Sequence, residues 1–351
     1  MNRHNNFDLL RLLAAGGVMA LHVADLSAEP ALRVLTWADA KMALATFFVI
    51  SGYLVFMSCA QTPSLRDYAA KRARRIVPAY VAVVLLCAVA GGGLSTLPWT
   101  DYVGPGLWRY LAANLSFLNF LAPGLPGVFV DNPFPGAPVN GALWTIKVEL
   151  MFYAVVPVFV WLCRRWGHHL VLGLGFVLSC LWWGGCVHLA WRTGKMGFFE
   201  LAKQMPGQLM FFLPGAWCWY ERARLQRWGH AVGAAGLALL WLAYQWDQTH
   251  VNPGVFVYPL GLALLVSWAA QTAPYAGHVT RRGDLSYGIY IVHFPVLQAL
   301  VQLGVFRASP WGGTALAVLS VVVLAWLSWH FIEAPCLHRG SGTRRALSAT
   351  S

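Results

Sequence analysis

The sequence has 351 residues, of which 58% are hydrophobic and only 11% are charged, whereas a soluble domain carries about 25% charged residues. With a mean hydropathy of +0.56, this composition excludes an ordinary soluble protein and indicates an integral membrane protein. The formal net charge is +12, but no nucleic-acid-binding motif accompanies it. We therefore attribute the charge to membrane topology and to affinity for anionic lipid headgroups, not to nucleic acid.

Apolar segments long enough to cross a membrane as helices recur along the whole chain, with no long polar block between them. We place about ten, near residues 9–26, 40–59, 77–94, 143–163, 169–190, 205–220, 231–246, 254–270, 285–304 and 312–332. Lys and Arg are more numerous in the loops on the side of the N-terminus, an excess that is typical of cytoplasmic loops. The sequence therefore predicts an all-α, polytopic membrane protein with both termini in the cytoplasm. We expect one transmembrane domain, residues 1–338, and a short cytoplasmic tail, residues 339–351.

Two ionisable residues, Arg11 and His22, lie in the first apolar segment with no ionisable residue between them. At about 100° per residue they share one helix face, about 16 Å apart along the axis. Ionisable groups in a membrane helix are costly, so we interpret the pair as part of a functional site. An ion pair of Arg11 with Asp8 is the structural alternative. Asp25, on the same face as His22, either orients its ring or lies in the outer interface.

Cleavage of this first segment as a signal peptide is a competing interpretation. The position of Arg11 within the segment, and the further apolar segments downstream, favour an uncleaved first helix.

Arg72 and Arg75 form an Arg-x-x-Arg pair at the cytoplasmic end of the third apolar segment. Guanidinium groups make bidentate contacts to phosphates, so the pair suits the phosphates of a nucleotide. Pro78 is expected to start the helix and to hold the pair at the membrane surface. Basic residues beside a membrane are also ordinary topology markers, and this alternative stays open.

Ser51 and Gly52 predict a close approach of the backbone to a ligand or to a neighbouring helix. Glu149 lies in an apolar segment, so it must be protonated, paired with Lys147 or another cation, or hydrogen-bonded to a substrate. Lys147 could instead pair with a phosphate or a substrate carboxylate. These four residues are therefore candidates for a site.

Tyr287, Tyr290 and His293 are spaced at i, i+3 and i+6 in the ninth apolar segment. Tyr287 and Tyr290 could share a polar stripe, and His293 is a candidate catalytic residue. The alternative is that these residues are interfacial anchors. The seven cysteines are scattered, with no Cys-x-x-Cys pair, and are expected to be buried free thiols without a metal. No motif of a metalloprotease, serine hydrolase, ATPase or dehydrogenase is present.

The longest stretch outside the apolar segments, residues 95–142, is predicted to lie on the outer side. Its second half, LAPGLPGVFVDNPFPGAPVNG, is too rich in Pro and Gly to be helical and is a candidate lid or acceptor platform. The preceding LWRYLAANLSFLNFLA is either an interfacial amphipathic helix or a short buried helix.

Five blocks of the sequence, taken in order, resemble the membrane-bound acyltransferase 3 family. The blocks that follow Arg11 and His22 are FFVISGYL (47–54), KRARRIVPAY (71–80), LWTIKVELMFY (143–153), LSYGIYIVHFPV (285–296) and FIEAP (331–335). The resemblance extends over about residues 7–336. We expect the chain to lack the extra extracytoplasmic hydrolase-like domain that some members carry.

This resemblance implies transfer of an acyl group, above all acetyl, from cytoplasmic acyl-CoA to a hydroxyl of a cell-envelope or exported glycan or of a lipid-linked sugar. It implies a location in the bacterial inner membrane, among membrane lipids and polysaccharide-assembly proteins, and no metal. His22 would be the general base or a transient acyl carrier, with Arg11 and Glu149 in the site. The CoA phosphates would meet Arg72 and Arg75.

Two other classes of protein remain as alternatives. In a transporter, Arg11, His22 and Glu149 would line the path of a small anionic or sugar substrate. The two halves of the sequence show no internal repeat, which disfavours this class. A scaffold protein of a polysaccharide assembly complex would have no need of His22.

Overall fold

The computed structural model describes residues 5–37, 40–134, 136, 138–247, 254–280 and 283–337. Within these residues it contains helices and turns but no strand, and the predicted all-α class is confirmed. The predicted cytoplasmic tail, residues 339–351, lies outside the described residues.

Fifteen α-helices are found in the described residues. In chain order they are α1 (Phe7–Ser27), α2 (Ala40–Gln61), α3 (Leu65–Leu94), α4 (Trp99–Tyr102), α5 (Pro105–Leu115), α6 (Trp144–Trp166), α7 (His168–Thr193), α8 (Gly197–Ala202), α9 (Met205–Tyr220), α10 (Arg222–Trp228), α11 (His230–Asp247), α12 (Gly254–Gln271), α13 (Ser286–Gln302), α14 (Val305–Ala308) and α15 (Pro310–Ser328). Helix α15 continues into a π-helical turn, Trp329–Glu333.

Seven helical segments of the described chain are long and apolar enough to cross a membrane. They contain α1, α2, α3, α6, α7, α12 and α15. The other three predicted spans coincide with α9, α11 and α13, which have 16, 18 and 17 residues. The chain is therefore a polytopic membrane protein, while the number of spans and the cytoplasmic position of the termini stay predictions.

The predicted start of the third helix at Pro78 is wrong. Helix α3 begins at Leu65 and runs through Pro78, so Arg72 and Arg75 lie within the helix and not before it. Pro78 has no N–H to donate to the carbonyl of Arg74. Membrane helices tolerate such a proline because neighbouring groups satisfy the freed carbonyl.

The described chain divides into two compact units. The first comprises the described residues of Met1–Ala14, Lys41–Tyr68 and Val148–Arg281, and the second those of Ala15–Ala40, Ala69–Lys147 and Arg282–Ser351.

The first unit is built on a close backbone approach of α2 and α9. A Cβ atom added to Gly52 would lie 1.9 Å from the carbonyl oxygen of Phe212, and one added to Gly215 would lie 2.0 Å from that of Val49. Beside this contact the rings of Phe152 and Phe212 stack with centroids 4.2 Å apart. Glycine at both positions is what allows the two helices to approach so closely.

The second unit is organised around α13, which is buried from Ser286 to Phe294. The Pro/Gly-rich loop predicted as a lid is tied to this helix by amides. The side chain of Gln298 donates to the carbonyl of Pro138 at 3.0 Å, and that of Asn132 donates to the carbonyl of Gln298 at 2.9 Å. Asn140 donates to the carbonyl of Ile291 at 2.8 Å. The loop is therefore a packed part of the second unit.

Candidate active site

A histidine pair lies at the centre of the second unit. Nδ1 of His22, on α1, is 2.8 Å from Nε2 of His293, on α13. The two rings are nearly parallel, with centroids 5.1 Å apart and an interplanar angle of 13°. His293 is completely buried, whereas His22 is partly exposed. The structure thus brings together two of the predicted site residues that are 271 positions apart in sequence.

The hydrogen bonds assign the protons of this pair. Nδ1 of His293 lies 3.1 Å from the carbonyl oxygen of Ile289, which can only accept, so Nδ1 of His293 carries a proton. In a neutral ring Nε2 of His293 is then an acceptor, and Nδ1–H of His22 must donate to it. The lone pair of neutral His22 is consequently on Nε2, for which the described residues offer no hydrogen-bond partner.

Aromatic and hydroxyl groups fix the surroundings of the pair. The ring of Phe294 meets His22 edge to face at a centroid distance of 5.2 Å. The hydroxyls of Tyr290 and Thr145 are 2.7 Å apart, and both lie within hydrogen-bond distance of the carbonyl of Ala142. Tyr290, a predicted site residue, therefore joins α13 to the start of α6.

The predicted phosphate ligand Arg75 lies between two carboxylates in the second unit. Its guanidinium donates to Asp284 in a short contact and lies 3.8 Å from Glu333. The ring of Tyr287 is 5.8 Å from the guanidinium carbon, and the Tyr287 hydroxyl donates to the carbonyl of Ile76 at 3.0 Å. Arg75 thus links α3 to the start of α13 and to the π-helical turn that follows α15.

Glu149 lies in the first unit, where hydroxyl groups surround its carboxylate. Ser51 donates to Oε1 of Glu149 at 3.3 Å, and Tyr153, one helical turn further along α6, donates to the same oxygen in a short contact. The structure therefore joins two predicted residues, Ser51 and Glu149. The ammonium group of Lys147 lies in the second unit, 4.6 Å from the centroid of the Phe120 ring.

Arg11 forms the ion pair that the sequence offered as an alternative, since its Nη1 lies 3.7 Å from Oδ1 of Asp8. Asp25 is exposed on α1, while Nδ1 of His22, the atom that a carboxylate would orient, is occupied by His293. His293 thus takes the position of the orienting group that was considered for Asp25.

One group of possible metal ligands occurs in the described residues: His168, His169 and Glu221, in the first unit. Both imidazoles contact Oε1 of Glu221, at 2.8 and 3.3 Å, and Arg224 contacts Oε2 at 3.1 Å. The indole N–H of Trp217 donates to Nδ1 of His169 at 3.2 Å, so Nε2 of a neutral His169 carries its proton and cannot bind a metal. We therefore interpret the group as an ion-pair cluster.

The cluster acts on the titration of Glu221, which lies outside the spanning segments. The hydrogen bond from His168 holds the pKa of the Glu221 carboxyl below its usual value. Burial opposes this effect, while the charges of Arg224 and the histidines reinforce it. The carboxylate is thus held in its ionised form by its neighbours.

Comparison with known proteins identifies the family. The sequence model of acyltransferase 3, described as an acyltransferase domain, matches residues 4–330. The chain belongs to the acyltransferase 3 family.

Curated relatives agree with this assignment. The chain is 28% identical over 345 residues to the O-acetyl transferase of Shigella phage Sf6, covering 97% of this chain and 98% of that protein. It is 30% identical over 377 residues to nodulation protein 10 of Rhizobium leguminosarum bv. viciae, covering 98% and 96%. It is 25% identical over 388 residues to acyltransferase MdmB of Streptomyces mycarofaciens, covering 97% and 92%. No solved structure matches the chain.

Membership of the acyltransferase 3 family makes the chain an O-acyltransferase. Two acidic residues of its second unit were not predicted as site residues. Asp284 and Glu333, the partners of Arg75, are 8% and 2% exposed. Their positions in the sequence were a signal that could have identified them as site residues. Asp284 immediately precedes the block at 285–296, and Glu333 lies within FIEAP. Each residue therefore borders an apolar segment.

Proposed function

We propose that the protein transfers an acyl group, acetyl in the first place, from cytoplasmic acyl-CoA to a hydroxyl of a cell-envelope or exported glycan or of a lipid-linked sugar. The observation that carries the mechanism is the hydrogen-bonded His22–His293 pair, because it leaves the basic lone pair of His22 on Nε2. A neutral imidazole with a lone pair directed away from its orienting partner is suited to general base catalysis.

In the proposed step, Nε2 of His22 accepts the proton of the acceptor hydroxyl while the hydroxyl oxygen attacks the thioester carbonyl carbon. The carbon–sulfur bond breaks, and the proton on Nε2 passes to the departing thiolate. The products are an O-acyl ester and free CoA, and His22 returns to its neutral form. While His22 is protonated, its Nδ1–H remains bonded to His293, which keeps the ring in place.

The donor is proposed to place its phosphates beside Arg72 and Arg75. Arg75 already contacts Asp284 and Glu333. A phosphate would therefore have to share the guanidinium group of Arg75 with these carboxylates or displace them from it. Guanidinium favours phosphate through two parallel hydrogen bonds, and Arg72 precedes Arg75 by one helical turn on α3. The roles proposed for Arg11, Glu149, Ser51 and Gly52 stay predictions.

The acceptor is proposed to approach from the outer side of the bacterial cytoplasmic membrane, near the loop that joins α5 to α6. This loop packs against α13 within a few residues of His293 through Asn140 and Ile291. Membrane lipids and polysaccharide-assembly proteins are the further partners that we propose.

The decisive experiment compares His22→Ala with wild type in a deletion strain and measures O-acylation of envelope glycans by mass spectrometry. We expect the variant to lose about 10²- to 10⁴-fold in transfer rate, the usual contribution of a general base, at an unchanged level in membranes. His188→Ala is the matched control, because His188 is exposed on α7 and should leave transfer unchanged. Wild-type acylation by the His22→Ala protein would overturn the proposed mechanism.

A further inference from the structure

An apolar groove of about 360 Å³ lies between α7, α9, α11 and α12 in the first unit. Its walls include Leu172, Phe176, Leu213 and Leu264. This volume falls within the range of about 300–1,000 Å³ that is typical of ligand pockets. Water does not stably fill a site with so few polar partners.

The groove is open along one side. Gly173 on α7 and Leu260 on α12 both line it and are exposed. Because α7 and α12 are long and apolar enough to cross a membrane, we expect this opening to face the hydrocarbon of the bilayer. No atom lies within 4 Å of the position that the Cβ of Gly173 would take, so there is room for a larger side chain at this edge of the groove.

One end of the groove is basic. His169 lines the groove and also contacts Glu221, together with His168 and Arg224. The side chain of Glu221 is 9% exposed, whereas that of Arg224 is 66% exposed, so the carboxylate is far more buried than the guanidinium group that contacts it. The basic end comprises His168, His169 and Arg224, and the exposed Arg164, Arg165 and Arg222 are close to these residues in sequence.

We propose that this groove binds an anionic glycerophospholipid, with one acyl chain in the groove and the phosphate at the basic end. An apolar channel that ends beside His169 and the exposed guanidinium group of Arg224 matches an amphiphile with a negative headgroup in shape and in charge. Basic pockets at the cytoplasmic ends of membrane helices bind such headgroups, and the excess of Arg predicts that this end is cytoplasmic. The site does not involve the His22–His293 pair, so it is independent of the proposed acyl transfer.

The test is native mass spectrometry of the purified full chain in detergent with added dioleoyl phosphatidylglycerol or dioleoyl phosphatidylcholine. We expect the wild type to retain phosphatidylglycerol more strongly. Gly173→Leu should fill the groove and weaken binding of both lipids about tenfold or more, because an acyl chain contributes affinity for each methylene that it buries. Arg224→Gln should weaken only phosphatidylglycerol, about fivefold, the typical contribution of one basic residue.

The controls are Gly185→Leu and Arg192→Gln. Gly185 also has open space around its Cβ position and lies on α7 outside the groove, and Arg192 is an exposed arginine at the other end of α7. Neither change should alter lipid retention. Equal retention of phosphatidylglycerol by the wild type and Gly173→Leu would overturn the proposal. So would displacement of the lipid by an equal concentration of palmitoyl-CoA, which would assign the groove to an acyl donor.

Discussion

A neutral histidine accepts a proton at the ring nitrogen that carries the lone pair, and a hydrogen bond at the other nitrogen fixes which nitrogen that is. In this protein the carbonyl of Ile289 fixes the proton of His293 on Nδ1, and Nε2 of His293 in turn fixes the proton of His22 on Nδ1. This chain of two hydrogen bonds orients the ring of His22, as a carboxylate orients the histidine of a Ser-His-Asp triad. A neutral imidazole provides this orientation without placing a buried negative charge beside His22, the proposed base.

Replacing His293 tests this arrangement at the level of a single residue. We expect His293→Phe to lower kcat about 10- to 100-fold with little change in KM, because an orienting group is lost while substrate contacts remain. His293→Gln should retain more activity, since its amide oxygen can still accept from Nδ1–H of His22. Steady-state kinetics of the two variants checks this. Equal activity of the Phe and Gln variants would show that His293 only fills space.

Arg75 gives a second prediction at this scale. Removing one partner of a buried ion pair leaves an uncompensated charge, so we expect Arg75→Gln to lower the free energy of unfolding by about 3–5 kcal/mol. Adding Asp284→Asn should recover part of this loss, because it removes one of the two carboxylates that Arg75 contacts. Thermal unfolding in detergent measures both variants.

The same variants separate a structural from a donor-binding role of Arg75. If Arg75→Gln has an unchanged melting temperature and a raised KM for acyl-CoA, the structural role of Arg75 is contradicted. The result would then support a contact of Arg75 with a phosphate of the donor. Loss of stability with an unchanged KM would exclude the phosphate contact.

At the level of helices, small residues decide which elements approach each other. Gly52 and Gly215 bring the backbones of α2 and α9 together, each facing a carbonyl oxygen of the other helix. The sequence left open whether Ser51 and Gly52 adjoin a ligand or a helix. On the side where its missing Cβ would point, Gly52 adjoins α9.

We expect Gly52→Ala to destabilise the protein by about 1–3 kcal/mol, because its Cβ would lie 1.9 Å from a backbone oxygen that cannot turn aside. Gly185→Ala, made in open space on α7, should instead stabilise by about 0.5–1 kcal/mol through helix propensity. The melting temperature in detergent should fall for Gly52→Ala and rise for Gly185→Ala. Similar shifts for both variants would refute the close contact of α2 with α9.

The helices could be predicted from the sequence, because a membrane-spanning segment is recognised from the composition of that segment alone. The pairing of His22 with His293 could not be, because it joins residues 271 positions apart and depends on how helices pack. Pro78 misled the prediction of where α3 begins, since a proline that starts a helix in water can lie inside one in a membrane protein. Asp284 and Glu333 were not predicted as site residues, because a charged residue beside an apolar segment is usually solvated.

At the level of the whole molecule, the orientation in the membrane decides which reactant meets which face. The excess of Arg and Lys predicts that the start of α3 is cytoplasmic and that the loop from 116 to 143 is outside.

This orientation can be tested by labelling introduced cysteines, provided that the native cysteines do not react. The chain has seven cysteines. All are free, six are buried, and Cys336 is partly exposed. A Cys336→Ser background is therefore suited to labelling of introduced cysteines.

In that background, Val130→Cys should react with a membrane-impermeant thiol reagent in intact spheroplasts, and Ala73→Cys should react only after permeabilisation. Both positions are exposed and belong to the second unit. Labelling at Val130 reports on the loop between α5 and α6, and labelling at Ala73 reports on the first part of α3. Val130 is preferable to Ala142, which is 2% exposed, and to Gly127, where a Cβ would lie 2.6 Å from the hydroxyl of Ser95.

The labelling also locates the acceptor. If the glycan hydroxyl approaches from outside, acceptor glycan should slow the reaction of Val130→Cys, and acetyl-CoA should not. The opposite pattern of access, with Ala73→Cys labelled in intact spheroplasts, would invert the topology. The loop tied to α13 would then meet the cytoplasm, and the acceptor would have to reach His22 from the side that we assign to the donor.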